Sequence, residues 1–467
     1  MNESRPRALD ETLDRIGFTG RQKAIVALCA LIAMAEGFDT LAIGYLIPSM
    51  AKEWAISPGQ LGVAVTAGSI GMIVGLVSLG PVADRLGRRI VIIVCTSTFA
   101  LFTGLIVFVQ SVEALSALRF LAGLGLGAAL ANVIALAVEL VPRRSKAKVA
   151  TLVGSGAVAG GVVCGLVAQV MLPAFGWTSI FVVGAVIPLL LAVVAMWMLP
   201  ESVEYLLAKG KQAEAQRFLL QIDPKDSGAP LAAVGEVTKG APKAPVAALF
   251  TDRHGPGTIL LWAASFSAYV LTFFLFTWVP TLLGQAGLSP ATSANAMSLT
   301  LLATIAGGLA MAAVADRRSG DYRVMVIGFP LACVFIYLTS VTLDYPALVL
   351  ISLIAVGFFG IGTQNALSPV AAAMYPSHAR STGVSWMQGM GRVGSLISPI
   401  LGGLLLSQGI SEVTMFRLAI VPTLVAAIAI TLLVTRLRGT QRKGASQPLS
   451  GSSDSNTVVP ADPTPGA

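Results

Sequence analysis

The stretch AIVALCALIAMAEGFDTLAIGYLIPSM, residues 24–50, has the length and composition of a helix that crosses a membrane. It is almost entirely apolar or small and exceeds the roughly 20 residues that such a helix needs, yet two acids, Glu36 and Asp39, lie near its centre. The chain of 467 residues is 55% hydrophobic and 12% charged, with a mean hydropathy of +0.80. Soluble domains are about a quarter charged, so the composition excludes a soluble globular protein.

Runs of this kind recur along the whole chain. Each is predicted to be a helix because a segment that crosses lipid has to satisfy its own backbone hydrogen bonds, and the short alternating segments of a β-barrel are not seen. The first run is too long for a cleaved signal peptide and is followed at once by others, so we expect it to be retained. The twelve predicted spans lie near 24–50, 60–80, 89–109, 113–139, 149–172, 178–199, 257–284, 292–314, 322–343, 346–374, 382–405 and 413–436.

Polar segments divide these spans into two sets of six. The segment between the sets is polar and rich in Pro, with one amphipathic stretch near 203–220, and the C-terminal tail is rich in Ser and Pro and is predicted to be disordered. The predicted parts are a cytoplasmic N-terminal segment 1–23, a six-helix bundle 24–199, a cytoplasmic linker 200–256, a second six-helix bundle 257–436 and a disordered cytoplasmic tail 437–467.

The two sets of spans resemble each other in sequence. VADRLGRRIVI at 82–92 is echoed by VADRRSGDYRVMV at 314–326, which places Asp84 and Asp316 232 positions apart. A repeat of six-helix halves is typical of transporters that rock about a site at the middle of the membrane. We therefore predict an all-α membrane protein with twelve transmembrane helices in two six-helix pseudo-repeats.

Basic residues in the short connections predict the orientation, because such residues concentrate on the cytoplasmic side. They occur before the first span and in every second connection after it, and both termini are therefore predicted to be cytoplasmic in a multi-pass protein of the cell (inner or plasma) membrane. The formal net charge of +8 follows from this distribution and requires no nucleic-acid partner. The best examples are Arg15, Arg21, Lys23, Arg85, Arg88, Arg89, Arg143, Arg144, Lys146, Lys148, Arg436 and Arg438.

Several motifs resemble one known group of proteins. GPVADRLGRR at 80–89 resembles the loop signature of the major facilitator superfamily, and PES at 200–202 is similar to another feature of that superfamily. EGFD at 36–39, RFLAGLGLGAALAN at 119–132 and YPSHARSTGVSWMQGMGRVG at 375–394 are similar to the aromatic acid:proton symporter family. The resemblance implies the superfamily fold and import, by alternating access, of aromatic carboxylates such as benzoate, hydroxybenzoates, gentisate or hydroxyphenylpropionate. That family usually has Asp where this chain has Glu36.

Glu36 and Asp39 are the predicted proton-coupling residues. A charged side chain at the centre of a membrane helix costs about 2.5–3.5 kcal/mol, so an ionisable residue there indicates a function. The two acids are three positions apart and share a helix face. Two carboxylates so close do not both ionise readily, so one is expected to hold a proton near neutral pH. The alternative is a pair of structural acids with buried partners.

Arg119 and Arg392, one in each half, are the predicted substrate-binding cations. A guanidinium keeps its charge and fits a carboxylate with two parallel hydrogen bonds. The alternative for each Arg is a buried pair with Glu36 or Asp39. Further predicted substrate contacts are two amides and an aromatic set whose alternative role is helix packing: Gln364, Asn365, Trp278, Phe274 and Trp386.

A cluster of charges on the cytoplasmic side is the predicted gate. Glu139 resembles a position of the family that is important for transport, and the alternative for the basic members is topology determination alone. His378 lies near the same boundary, where an ordinary loop histidine is the simpler interpretation. The predicted gating residues are Asp84, Arg85, Gly87, Arg88, Arg89, Glu139 and Arg380.

No catalytic constellation is recognisable. The chain has two histidines and lacks the HExxH, GxSxG and P-loop motifs, and its four cysteines have no CxxC spacing. We therefore predict a non-enzyme without metal or cofactor, whose partners are a small carboxylate, protons and the lipid bilayer, and which functions as a monomer. The alternatives are a proton-coupled carrier of a non-aromatic acid, such as a dicarboxylate or hydroxy acid, and a transceptor.

Overall fold

The protein is helical throughout the part of the chain that the computed structural model describes, which is residues 9–222, 246–251, 254–317, 323–376 and 379–445. No β-strand occurs among these residues. Eleven of their helices are long and apolar enough to cross a membrane, and Met325–Val341 is a shorter apolar helix. The prediction of an all-α membrane protein with twelve spans is confirmed.

The helices follow one another with short connections. In chain order they are α1 (Leu9–Ile16), α2 (Gly20–Glu53), α3 (Pro58–Leu86), α4 (Arg88–Leu105), α5 (Val112–Glu139), α6 (Arg143–Phe175), α7 (Thr178–Met198), α8 (Val203–Ala208), α9 (Gln212–Ile222), α10 (Gly255–Gln285), α11 (Pro290–Arg317), α12 (Arg323–Val341), α13 (Pro346–Val356), α14 (Gly362–Asn365), α15 (Leu367–Met374), α16 (Arg380–Ser407) and α17 (Glu412–Ala445).

Several helices extend beyond the boundaries predicted from sequence, and α2 and α17 are two examples. Helix α2 begins at Gly20 because Thr19 and Gln22 form a reciprocal capping box, in which the Thr19 amide donates to Gln22 Oε1 at 2.7 Å. Helix α17 continues to Ala445, so the predicted start of the tail at 437 falls inside a helix. The tail beyond Ala445 lies outside the described residues.

The tenth predicted span, 346–374, is not one regular helix. It consists of α13, a π-helical turn over Gly357–Ile361, α14 and α15. The glycines of this stretch face α11 closely: a Cβ on Gly357 would overlap Thr300, and a Cβ on Gly362 would overlap Gly307. The irregular turn thus lies where two backbones pack with no side chain between them.

The linker contributes two helices to the N-terminal half. The amphipathic stretch predicted near 203–220 corresponds to α8 and α9, whose buried Phe218 and Leu219 belong to one apolar cluster with Leu13 of α1. The Asp14 carboxylate accepts a hydrogen bond from the Arg143 amide at 2.8 Å, which caps the start of α6. These short helices therefore pack against the end of the N-terminal bundle.

The sequence repeat is visible in helix positions. Pro58 and Pro290, which begin α3 and α11, are 232 positions apart, as are Pro48 and Pro280 inside α2 and α10. The halves contact each other through α2 with α10, α3 with α16, and α6 with α11. Because α16 is the counterpart of α6, the last two contacts are equivalent under the pseudo-two-fold relation.

The contact between the halves is a seam of glycines. We call the end of the bundle where α2 begins and α17 ends the terminal side, and the opposite end the far side. A Cβ on Gly44 would overlap the Phe276 carbonyl oxygen, one on Gly59 would overlap the Gly403 backbone, and one on Gly62 would press on Trp278. The halves therefore close tightly on the far side, with backbone against backbone.

We predict that Gly44→Val opens this seam. Overpacking costs about 1–3 kcal/mol. This cost destabilises the conformation in which the seam is closed and leaves the conformation with an open seam unaffected. A maleimide should label a Cys placed at Ser49, which lines a far-side pocket, faster in the Gly44→Val protein by about tenfold or more.

Gly154→Val is the matched control because a Cβ on Gly154 of α6 meets nothing within 4 Å and Gly154 does not line the pocket of Ser49. Both proteins should carry Cys333→Ser, since Cys333 is the partly exposed thiol of the four cysteines. Equal labelling rates in the two variants would contradict a role of the Gly44 contact in closure.

Candidate functional site

A complete ion pair lies at the centre of the N-terminal half. Arg119 Nη1 is 3.0 Å from Asp39 Oδ2, and Arg119 Nη2 donates to the Asp39 carbonyl oxygen at 3.2 Å. The Thr103 hydroxyl donates to Asp39 Oδ1 at 2.7 Å. Asp39 is 0% exposed and Arg119 is 4% exposed. The pair joins α2, α4 and α5, and the Asp39 carboxylate has a partner on each oxygen.

Glu36 lies one helical turn from Asp39 on α2 and has fewer contacts. Its side chain is 3% exposed, and Oε2 has no hydrogen-bond partner among the described residues. The charged groups that act on it electrostatically are Arg392, an attractive charge from the other half, and Asp39, a repulsive one from its own helix. Of the two acids predicted for proton coupling, Asp39 is therefore neutralised by a contact and Glu36 is not.

Close helix packing explains how Glu36 becomes buried. A Cβ on Gly37 would overlap the backbone of Ala157, and a Cβ on Gly160 would overlap that of Met34. Small residues on both helices let α2 and α6 approach with their backbones in contact. The glycine between the acids thus brings the acidic part of α2 against an apolar helix.

Arg392 extends from α16 toward the N-terminal half. Its Nη1 lies 3.6 Å from Met72 Sδ of α3, and its side chain is half-buried. Among the residues that the structure describes, no carboxylate lies within ion-pair distance of Arg392. Of the two predicted cations, Arg392 is the one whose charge lacks a contacting anion.

Both arginines line one cavity between the halves. Its empty space, counted together with the open solvent at its mouth, is about 610 Å³. Most of the lining is apolar, with hydroxyls at a few places; the Thr40 hydroxyl is buried and has no hydrogen-bond partner among the described residues. The residues with polar or aromatic side chains in the wall are Thr40, Ser69, Arg119, Phe273, Phe276, Thr277, Arg392 and Ser395.

The predicted aromatic contacts lie elsewhere. Trp278 is fully buried against Gly62 and Gly402 in the far-side seam. Trp386 is 43% exposed and stacks on Trp262 with ring centroids 5.7 Å apart. Neither lines the cavity described above.

Phe273 and Phe276 supply the aromatic rings of the cavity instead. Sequence reasoning missed them because α10 carries aromatic residues on several of its faces. Phe274, the phenylalanine singled out from sequence, packs edge-on against Phe416 with centroids 6.4 Å apart. The sequence does not show which face of α10 is turned toward Arg392, because that depends on how the helices pack.

The two predicted amides are also outside the cavity wall. Gln364 is buried, and its side-chain oxygen accepts a hydrogen bond from the Thr272 hydroxyl. Asn365 is exposed, and its amide lies next to Gly308 of α11. In this conformation the structure does not bring Gln364 and Asn365 together with the arginines.

A charge cluster on the terminal side joins three of the sequence motifs. Arg88 forms an ion pair with Glu139, and the Ser202 hydroxyl donates to Glu139 Oε2 at 2.6 Å. Glu201 Oε1 accepts from the backbone amides of Arg89 at 3.1 Å and Ser202 at 2.9 Å. The loop after α3, the end of α5 and the PES motif therefore form one network.

The remaining predicted gating residues border that network or lie apart from it. Gly87 has φ +97° and packs against the Glu201 carboxylate, a place where a side chain would be both strained and obstructed. The Arg85 carbonyl accepts from the Tyr205 hydroxyl at 3.1 Å. Arg380 is exposed at the start of α16 in the other half. The Asp84 side chain and His378 lie outside the described residues.

Comparison with known proteins places this architecture in a family. The family model described as Major Facilitator Superfamily matches residues 29–367 and again 261–460. The chain belongs to this superfamily, and it is a multi-pass membrane transporter rather than an enzyme.

Individual relatives are similar over most of their length. The gallate transporter of Pseudomonas putida is 33% identical over 91% of this chain and 94% of its own. The 4-hydroxybenzoate transporter PcaK of Pseudomonas aeruginosa is 34% identical over 88% of this chain and 92% of its own. A bacterial homologue of the human lysosomal transporter Spinster, solved in an inward-facing and unoccupied conformation, has the same fold, with a TM-score of 0.68 at 14% identity over 91% of this chain and 98% of its own.

We predict that Asp39→Asn lowers thermal stability more than Glu36→Gln. Removing the charge of Asp39 leaves Arg119 buried without its anion, and breaking a buried pair from one side costs about 3–5 kcal/mol. Glu36 has no contacting cation to abandon. Melting of the two purified proteins in detergent, followed by tryptophan fluorescence, tests the difference. Equal melting temperatures would show that the Arg119 contacts add no stability.

Proposed function

We propose that this protein is a symporter that imports aromatic carboxylates together with protons. The observation that carries the proposal is the cavity between the halves, which has two arginines in its wall, one of them paired with the buried Asp39. Relatives whose names specify gallate or 4-hydroxybenzoate support an aromatic acid as the substrate. The protein works as a monomer in the inner membrane, with both termini in the cytoplasm.

The charge distribution favours an anionic substrate. Asp39 compensates Arg119, whereas Arg392 has no contacting anion among the described residues and brings a positive charge to the cavity. A carboxylate fits a guanidinium with two parallel, charge-assisted hydrogen bonds. Arg119 Nε is buried without a partner among the described residues and lies beside Gly68 of the wall, so it offers a second donor.

The apolar part of the cavity favours an aromatic ring over an aliphatic acid. Phe273 and Phe276 form the apolar part of the wall together with Met72 and several aliphatic side chains. Aromatic rings pair favourably with each other in offset or edge-on arrangements. A dicarboxylate would need a second cation, and Arg119 is already paired.

Alternating access is the mechanism that this architecture supports. The far-side glycine seam closes one entrance, so the cavity exchanges with the terminal side in this conformation. The charge cluster of Arg88, Arg89 and Glu139, together with Asp84, Arg85, Gly87 and Arg380, acts as the gate on the terminal side. One carboxylate carried with one proton moves no net charge, and each unit of pH difference then sustains about tenfold accumulation.

Uptake into proteoliposomes tests this function. Labelled benzoate, 4-hydroxybenzoate, gentisate and 3-(3-hydroxyphenyl)propionate are offered with and without an inward proton gradient. The wild type should accumulate at least one of them only with the gradient, and Arg392→Gln should abolish uptake because it removes the cation of the cavity wall that has no ion-pair partner among the described residues. Arg417→Gln, an exposed arginine of the same half, is the matched control and should transport normally.

Transport of dicarboxylates or aliphatic hydroxy acids in place of all four aromatic acids would contradict the substrate assignment. Uptake that ignores the proton gradient would contradict proton coupling. Normal uptake by Arg392→Gln would show that this cation does not bind the substrate.

Thr40 is expected to recognise a ring hydroxyl. Its own hydroxyl lines the cavity without a partner among the described residues, and a hydrogen bond of this kind contributes about 0.5–1.5 kcal/mol. Thr40→Val should therefore weaken binding of 4-hydroxybenzoate about 2- to 10-fold and leave benzoate unchanged.

Ser69→Ala is the control for Thr40→Val, because Ser69 also lines the cavity but its hydroxyl already donates to the Val65 carbonyl at 3.2 Å. Competition of unlabelled benzoate and 4-hydroxybenzoate against labelled substrate measures both affinities. An equal loss for the two acids would mean that Thr40 does not contact the ring hydroxyl.

A further inference from the structure

We propose that the two acids of α2 have different roles: Glu36 takes up and releases the coupling proton and competes with substrate for Arg392, whereas Asp39 is the permanent partner that positions Arg119. This division of roles rests on the proposed function of proton-coupled carboxylate transport.

The contacts of the two acids differ in a way that sequence does not show. Both oxygens of Asp39 have a donor, from Arg119 at 3.0 Å and Thr103 at 2.7 Å. All three groups belong to the N-terminal half, so they stay together when the halves move relative to each other. A carboxylate held in this way is a fixed structural charge.

Glu36, in contrast, makes no ion pair among the described residues, and the cation that acts on it belongs to the other half. Its Oε2 is buried and has no partner among the described residues, and the attractive charge that acts on it belongs to Arg392 of α16. An interaction between Glu36 and Arg392 therefore changes when the halves rearrange. A proton on Glu36 changes it as well, because a neutral carboxyl group no longer attracts the guanidinium.

The other charges in the helices packed on α2 are already paired or lie at a helix end: on α5, Arg119 pairs with Asp39, Glu139 pairs with Arg88, and Glu113 is exposed in the first turn. The parts of α6 over 149–175, α7 over 178–198 and α3 over 58–79 carry no Asp, Glu, Lys, Arg or His, and the titratable group there is Cys164. On α10 the titratable group of the span is Tyr269. The charges facing Glu36 are thus Asp39, which Arg119 compensates, and Arg392.

The requirement that buried charges be compensated then couples proton and substrate. With Glu36 protonated and a carboxylate bound to Arg392, every charge has a partner. With Glu36 ionised and no substrate, Glu36 itself compensates Arg392. The two remaining combinations leave an unpaired cation or an excess anion between the halves, which burial penalises. In this scheme the carrier changes between its two conformations only in the two states whose charges are compensated.

The resulting cycle balances protons and charge. On the terminal side the Glu36 carboxyl group loses its proton to water, and the new carboxylate replaces the substrate carboxylate at Arg392. The empty carrier returns in this form and is reloaded on the far side, where protonation of Glu36 frees Arg392 for the next anion. Each turn moves one carboxylate and one proton with no net charge.

Glu36→Gln separates this role from a structural one, because glutamine imitates the protonated state permanently. The variant should exchange external for internal 4-hydroxybenzoate at close to the wild-type rate, since the loaded state is compensated. It should lose net uptake and accumulation, since its empty form leaves Arg392 unpaired. Its exchange rate should not vary with pH, whereas wild-type exchange should slow as alkaline pH removes the proton from Glu36.

Two further variants complete the test in the same proteoliposomes. Asp39→Asn should lose exchange and net uptake together, because Arg119 is then misplaced. Glu36→Asp keeps an ionisable carboxylate and should restore proton-driven accumulation.

Each outcome decides a separate question. A wild type that moves no aromatic acid contradicts the proposed function. With an active wild type, proton-driven accumulation by Glu36→Gln overturns the present inference, and so does a Glu36→Gln protein that binds substrate but has lost exchange. Exchange without net uptake in Asp39→Asn would assign the proton to Asp39 instead.

Discussion

The compensation of charge inside a membrane is the constraint on which this structure depends. A buried charge without a partner is expensive, and the chain places two acids and two arginines near the middle of its bundle. Asp39 and Arg119 compensate each other completely within the N-terminal half. Glu36 and Arg392 remain, one on each half, and their compensation depends on the arrangement of the halves and on what lies between them.

Glycine makes this arrangement possible, because apolar burial does not drive helices together within lipid. Gly37 allows α2 to lie against α6, and Gly44, Gly59 and Gly62 allow the two halves to meet on the far side. The same geometry therefore buries Glu36 within one half and closes the cavity between the halves. The two halves can also separate along these backbone contacts without moving large side chains. This suits a transporter in which the seam opens and closes.

The repeat extends to the helices but not to the charges at the centre of the bundle. The positions 232 residues after Glu36 and Asp39 are Ala268 and Leu271, and the position 232 residues before Arg392 is Gly160. The scaffold is thus nearly symmetric while the acids are confined to one half. This asymmetry leaves Arg392 without an acid of its own, so substrate and Glu36 are the anions available to it.

The sequence by itself determined the number of spans, the repeat and the four central ionisable residues, because hydropathy, loop charges and an acid within an apolar run are local properties of the chain. Tertiary structure decided the partners. Arg119 reaches Asp39 across 80 positions, and Arg392 reaches Met72 across 320. It also decided that Phe273 and Phe276 line the cavity while Trp278 fills the seam, since the face that a helix turns inward depends on how its neighbours pack. The local sequence pattern therefore indicates which residues are unusual for a membrane helix. The packing of the helices decides which of these residues contact one another.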